Sequence, residues 1–302
     1  MVDIVDNERP LLTIKSTLSD PYQSTIEEVY AGDPKDWESV LGVPIWFQGG
    51  VYDAPRPEAL SIAESGERHF DLQLRLAGHR RAENGNVKRI LDIGCGWGVE
   101  LEHLGGYFPA CTEIDAVNIS AVQLGYCADR LDALGMHDRV NLYLCNAQDI
   151  AMLPAPERPY DLVLMRGSST HFSMDVLHAA LGATASRMSQ GSSLIIAENL
   201  YRDGYESPIP DTTDRLACRY RKTPAEFLEA LEQNDLVVDD IRKLPSNADM
   251  IQWWHDIGVS VRERFGAAPP PVFQDLRDAA DNMELALAKD AISAYSIIAH
   301  RR

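Results

Sequence analysis

The chain has 302 residues, 45% of them hydrophobic, and a formal net charge of −18. That length predicts one large domain or one domain with a cap, with apolar content ordinary for a buried core. No run approaches the roughly 20 apolar residues of a membrane span, and the acidic balance opposes nucleic-acid binding, which rests on Lys and Arg neutralising phosphates.

In chain order, residues 1 to about 20 read as an extended arm. The opening MVDIVDNERPLL lacks a basic start followed by an apolar block, which predicts no signal peptide and a cytoplasmic location. Asp20-Pro21 signals a helix start, and Tyr22–Tyr30 reads as a short helix. Pro34–Leu41 reads as another. Val43–Tyr52 is apolar and aromatic with no helical period, so it packs either as a lid over a site or as a buried loop. Pro57–Gly78 reads as a long amphipathic helix.

From Arg89 onward strands and helices alternate. Strands are expected at 89–93, 110–115, 140–145, 160–165 and 193–197, with helices near 99–105, 120–134 and 175–188 between them. Thr223-Pro-Ala-Glu226 is an N-terminal capping signature for a helix to about Gln233. A strand at 237–244, two helices within 249–290 and a last strand at 294–299 close the chain. Alternation of this kind implies an α/β fold with a mostly parallel sheet and helices on both faces. The division expected is an N-terminal arm and helical cap at 1–85, then a core at 86–302 with a cap insertion at about 247–292.

The organising stretch is Arg89-Ile-Leu-Asp-Ile-Gly-Cys-Gly-Trp-Gly98. An apolar run ends in a glycine-rich turn, where glycines allow a sharp bend and close approach of a ligand. Asp92 sets a carboxylate at the end where open α/β sheets bind ligands. The dinucleotide fingerprint is G-x-G-x-x-G. Here the spacing is one residue shorter, and a carboxylate before the turn suits a cation better than a pyrophosphate.

The residues ILDIGCGWG resemble motif I of the Rossmann-like S-adenosylmethionine-dependent methyltransferases. The resemblance implies a seven-stranded, mostly parallel sheet with an antiparallel last strand, an N-terminal helical lid and S-adenosylmethionine as cofactor. It implies that Asp92, Gly94, Cys95 and Gly96 hold the methionine end. Val117-Asn-Ile-Ser-Ala-Val-Gln123 resembles the V-T-L-S-x-x-Q of cyclopropane fatty acid synthases and sterol methyltransferases, which implies that Asn118 and Gln123 take the ribose. Asp115 either assists there or caps the following helix. Asn146, Ala147 and Gln148 fall where the family lines the adenine, and Asp149 either joins them or faces water.

Met165-Arg-Gly-Ser-Ser-Thr-His-Phe172 falls where the family faces the transferring methyl. Cyclopropane synthases carry G-A-F-E-H-F there; here Thr170 stands in place of the glutamate, which argues against cyclopropanation. Geranyl diphosphate C-methyltransferases use a nearby glutamate that is also missing from this turn. His171 is the base the turn offers, its neutral imidazole suited to accept a proton near pH 7. The alternative is that it orders the loop against the cofactor. Arg166 is expected beside the cofactor.

Methyl transfer from a sulfonium mainly needs alignment of the nucleophile and exclusion of water. For an alkene acceptor the product is a carbocation, which aromatic faces stabilise. Trp46, Phe47, Tyr52, Phe172, Tyr201, Trp253 and Trp254 supply such faces in or beside the lid and site loops. The turn, the Asn-Ile-Ser segment and the Tyr22-bearing helix resemble bacterial natural-product C-methyltransferases of the teleocidin type, which methylate a prenyl alkene and trigger cyclisation. That resemblance implies Tyr22 and His171 as catalytic residues.

The leading expectation is therefore a C-methyltransferase acting on a prenyl or terpenoid small molecule. It is expected to bind neither nucleic acid nor membrane and to form a homo-oligomer, with N-terminal helix exchange an option. A 2-oxo acid or an N or O acceptor is the alternative, with Arg166 or Arg219 for the carboxylate, and a non-catalytic partner subunit the lesser one. No tight His/Asp spacing predicts a metal. Cys95, Cys111, Cys127, Cys145 and Cys218 are odd in number and lack C-x-x-C pairs, which predicts reduced thiols.

Overall fold

Strand Arg89–Ile93 is buried at every position and lies inside the sheet, as an apolar run covered on both faces requires. The structure, a computed structural model, describes residues 12–16, 18, 23–52, 60–81, 85–204 and 220–302. In chain order the elements are β1 (Leu12–Ile14), α1 (Gln23–Val29), α2 (Pro34–Leu41), α3 (Ile62–Leu76), β2 (Arg89–Ile93), α4 (Val99–Tyr107), β3 (Glu113–Asn118), α5 (Ala121–Ala133) and β4 (Val140–Cys145). Then follow β5 (Tyr160–Arg166), α6 (Met174–Arg187), β6 (Met188–Tyr201), α7 (Pro224–Gln233), β7 (Leu236–Lys243), α8 (Asn247–Phe265), α9 (Pro271–Ala288) and β8 (Ile292–Arg301). Short 3₁₀ turns follow β4 and β5.

The strand order is β1-β4-β3-β2-β5-β6-β8-β7. Neighbours from β1 to β6 pair in parallel, and β8 lies antiparallel between β6 and β7. Chain order reverses between β2 and β5, so a crevice opens at their C-terminal ends. This is the expected Rossmann-like architecture with an eighth strand. The addition is Leu12–Ile14 of the arm, which pairs in parallel with Tyr143–Cys145. An edge strand offers unpaired backbone groups to any extended segment nearby. Ser16 then fastens the arm, donating its N–H and hydroxyl to the Asp149 carboxylate. Asp149 is thus tied to the arm and does not face water.

Strand β3 begins later than expected because the chain first turns at Phe108–Thr112. The Cys111 N–H returns to Phe108 O at 3.0 Å, and the Thr112 N–H reaches Lys88 O at 2.9 Å. The shift places Asp115 inside the strand, fully buried, where it accepts from Arg89 Nη2 (2.7 Å), Tyr160 OH (2.6 Å) and Asn141 Nδ2 (2.8 Å). Asp115 is therefore a structural anion. Neither sequence alternative holds, since the cap of α5 is Ser120. Helix α3 starts at Ile62 behind a Ser61–Glu64 capping box, and Pro57, where the sequence reading begins it, lies outside the described residues.

Alternate side chains of the strands supply two cores. Leu91 and Ile93 pack with α6 and α7, through Leu177, Leu181 and Phe227. Ile90 packs with α3, α4 and α5, through Phe70, Leu104 and Leu124. A third cluster joins α2 to the α8–α9 hairpin through Trp37, Leu41, Trp254, Ile257 and Phe273, forming a helical cap. Among the described residues no helix is long and apolar enough to cross a membrane.

Candidate active site

The turn after β2 sets the floor of the site. Gly94 has φ +80°, and a Cβ there would lie 2.5 Å from Ser168 Cβ. Gly98 has φ +78°, with Cys127 Sγ 2.6 Å from the same imagined atom. Both positions thus need glycine twice, for the left-handed backbone and for the close approach. The Gly94 N–H donates to Val117 O (2.8 Å), and Ser168 Oγ donates to Ile93 O (2.8 Å). These bonds join the ends of β2, β3 and β5 into one rim.

A cleft lies on this rim, lined by Gly94, Cys95 and Gly96, by Asn118 and Gln123, by Cys145, Asn146 and Ala147, and by Arg166–Ser168, His171 and Phe172. Asn118 Nδ2 donates to Gln123 Oε1 (2.9 Å) and to Gly96 O (3.3 Å), so the two amides hold each other and the loop. Asn146 accepts from the Gln148 N–H and reaches Gln23 of α1. Ile26 and Tyr30, on and just after α1, close the cleft from above. Gln148, also expected at the cofactor, is buried in the 3₁₀ turn and is not among the residues that line the cleft.

Behind the loop lies a buried charge cluster. Arg166 pairs with Glu100, and its Nε donates to Gln73 Oε1 at 2.6 Å. Asp92 is buried, and its Oδ2 has no hydrogen-bond partner among the described residues. Burial, then the neighbouring Glu100 charge, pushes the Asp92 carboxyl well above the usual carboxylate range, with Arg166 opposing. Two carboxylates against one guanidinium leave room for one further positive charge. Burial pulls His69, next to Arg166, down to about 3, so it is neutral.

A second cavity adjoins the first and shares Tyr30, Phe47, Gln48, Gly167 and His171 with it. Six aromatic side chains line it: Tyr30, Trp37, Phe47, Trp253, Trp254 and Tyr295. Phe47 lies 5.8 Å from Trp37 and 5.6 Å from Trp253, ring centre to ring centre, and Trp253 meets Trp254 edge-on at 4.9 Å. Glu198 and Asn199, at the end of β6, enter the same wall.

The expected aromatic residues divide. Phe47 and Trp254 face the second cavity, while Phe172 faces the first. Trp46 does not reach either: its ring packs on Phe70 and His103, in space that Gly66 of α3 leaves open. Tyr52 is likewise buried in the cap, donating its phenol to Asp256 at 2.9 Å. Tyr201 lies outside both walls, beneath the Arg221 guanidinium at 5.2 Å. These three corrections share a cause, because an aperiodic segment or a strand end does not reveal which way each ring points. Tyr22 and Arg219 lie outside the described residues. Tyr30, Trp37, Gln48, Glu198 and Tyr295 were not expected in the walls. For Glu198 the signal was present, a carboxylate at the C-terminal end of an apolar parallel strand.

Residues 90–191 match the family model of a methyltransferase domain. This matched segment lies in the Rossmann-like sheet and helices around β2 to β5. S-adenosylmethionine is the cofactor that the sequence resemblance implies. The matched region includes the glycine turn, the Asn118–Gln123 pair, the Asn146 turn and the His171 turn. An uncharacterized protein of Synechococcus is 33% identical over 108 residues, 36% of this chain and 24% of the relative, so the match spans about a quarter of that protein. In fold, the chain is similar to the cyclopropane synthase MmaA2 of Mycobacterium tuberculosis, with a TM-score of 0.79, 12% identity and coverage of 95% of this chain and 100% of that one. It is similar also to the geranyl diphosphate C-methyltransferase of Streptomyces coelicolor, with a TM-score of 0.69, 18% identity and coverage of 94% and 99%.

The site's chemistry fits the cofactor. The unpartnered Asp92 oxygen and the surplus carboxylate suit the α-ammonium of the methionine end. The glycine loop leaves space above them, and Asn118–Gln123 presents amides at the middle of the cleft.

Proposed function

We propose that this methyltransferase methylates a carbon atom of a small apolar natural product, a prenyl or terpenoid alkene, through a carbocation that ring closure or proton loss resolves. The observation that carries this reading is the aromatic second cavity, which shares Gly167 and His171 with the wall of the first cleft. S-adenosylmethionine supplies an activated methyl group on a sulfonium. Asp92, Asn118, Gln123, Asn146 and Ala147 hold and orient it. Phe47 and His171 line both cavities, so the acceptor carbon would meet the methyl beside them. The rings of Trp37, Phe47, Trp253 and Trp254 offer negative faces to a developing cation, each contact contributing roughly 0.5–2 kcal/mol. The apolar wall keeps water from the cation.

The similar geranyl diphosphate C-methyltransferase is named for a prenyl acceptor, which supports the alkene class. A 2-oxo acid needs a cation for its carboxylate. Among the described wall residues the arginine is Arg166, already committed to Glu100 and Gln73.

The test is mass spectrometry of reactions with S-adenosylmethionine and three acceptor classes: prenylated indoles, prenyl diphosphates and aromatic 2-oxo acids. The reading expects one added methyl on a prenyl chain. Methylation beside a 2-oxo group, or on nitrogen or oxygen alone, would overturn it.

A further inference from the structure

Methylating an alkene leaves a cation on the neighbouring carbon, and a defined product requires that one group remove one proton. The turn that holds His171 carries no carboxylate. The second cavity nevertheless contains one, because β6 runs on past Ala197 and delivers Glu198 from a different strand.

Glu198 is 5% exposed and lies in the cavity wall. Ser169 Oγ donates to its Oε2, and the Asn199 N–H donates to its Oε1 at 2.8 Å. Lys222 is buried close by, its ammonium donating to Ser169 O (2.9 Å) and Tyr220 O (3.0 Å) and acting electrostatically on Glu198. The Tyr220 N–H also holds Thr170 O at 2.9 Å, so the 169–171 turn and Glu198 form one fixed unit. A carboxylate with two donors and a nearby ammonium stays ionised in an apolar pocket, where an isolated one would not. The two histidines of the wall are less suited. His69 is neutral with Nδ1 turned to Arg166, and His171 stands at the boundary with the cofactor cleft. Proton loss from a carbocation is so favourable that a weak base suffices, provided it is charged, near and dry.

We propose that Glu198 is the catalytic proton acceptor that ends the cation stage of the reaction. The alkene π pair forms the new C–C bond to the methyl, and the C–S bond breaks with its electron pair left on sulfur. The carbon next to the cationic centre then gives its proton to the Glu198 carboxylate, and the C–H pair becomes a new C=C bond. The proton leaves to water with the product. The acceptor class narrows accordingly to alkenes with a hydrogen beside the more substituted carbon. This inference rests on the alkene reading above.

The test compares the full-length wild-type chain with Glu198→Gln and Glu198→Asp on the prenyl acceptors the wild type methylates. Glu198→Gln keeps the size and the acceptor for Ser169 but cannot take a proton. It should bind S-adenosylmethionine as the wild type does by calorimetry, while turnover falls by roughly 100-fold or more. Its residual product should become a mixture of alkene isomers and the water-quenched alcohol. Glu198→Asp should restore a single alkene at reduced rate. This product pattern distinguishes proton removal from a merely structural role, and Glu198→Asp carries the test if the glutamine variant fails to fold. Unchanged turnover and a single product from either variant would overturn the inference and leave the alkene reading intact. A wild type that methylates no alkene would remove both.

Discussion

Arg166 and Glu100 form an ion pair in which both side chains are essentially inaccessible to water, directly behind the glycine loop. Arg166 comes from the end of β5 and Glu100 from the first turn of α4, so the pair joins the two elements that flank the switch point. Removing one member leaves the other charge buried and uncompensated. Arg166→Met is expected to cost about 3–5 kcal/mol of stability in urea unfolding. Preserved stability with a raised acceptor KM would instead assign the arginine to an acceptor carboxylate and revive the 2-oxo acid reading.

The Asp92 carboxyl sits well above the usual carboxylate range because of burial and the Glu100 charge. An ammonium favours the ionised form, so cofactor binding expels the proton that Asp92 holds. Affinity is therefore expected to rise with pH up to the raised Asp92 value and to level off beyond it. The free protein has the opposite sign. A carboxyl raised on folding contributes stability below its unfolded value and loses that contribution as pH rises through its folded value. Calorimetry in buffers of different ionisation enthalpy reads the released proton. Asp92→Asn should lose most affinity together with the pH dependence, and a pH-dependent Kd in that variant would assign the proton elsewhere.

Gly94→Ala is expected to abolish cofactor binding. The residue has φ +80°, and its new Cβ would meet Ser168 Cβ at 2.5 Å. Strain of this type costs on the order of 1–3 kcal/mol before the lost contacts are counted. Gly106, inside α4, has nothing within 4 Å of a Cβ and serves as the control. Gly106→Ala is expected to bind cofactor normally and to gain about 0.5–1 kcal/mol in thermal unfolding.

Tyr52 and Trp254 are both aromatic residues of the cap, but of the two only Trp254 lines the second cavity. Tyr52→Phe removes a phenol hydrogen bond to Asp256 and should cost about 0.5–1.5 kcal/mol with acceptor KM unchanged. Trp254→Leu should raise acceptor KM and lower kcat. Steady-state kinetics on the two variants that showed the reverse ranking would place the acceptor elsewhere.

His171 belongs to both cavity walls. His171→Ala is expected to lower turnover by roughly 10²-fold, the scale of a misplaced acceptor, with cofactor affinity retained in calorimetry. If affinity falls while turnover of the bound complex holds, His171 orders the loop instead.

The elements and the glycine-rich loop are legible from local sequence alone. The alternation of apolar strands with helices, the three close glycines after Ile93 and the Thr223–Glu226 capping box act over a few residues, and their physics is local torsion, period and capping. The cofactor candidates Asn118, Gln123, Asn146 and Ala147 were legible for the same reason, since each stands at the end of a readable strand. Tertiary structure decided what those residues meet. Phe47 faces the acceptor cavity and neighbouring Trp46 the core, because α3 leaves room for Trp46 over Gly66. Asp115 belongs to Arg89 and Tyr160, because strand order sets β2 beside both β3 and β5. The carboxylate absent from the His171 turn arrives from Glu198 for a related reason. Parallel strands far apart in sequence end at the same edge of the sheet, and side-chain charge is shared across that edge.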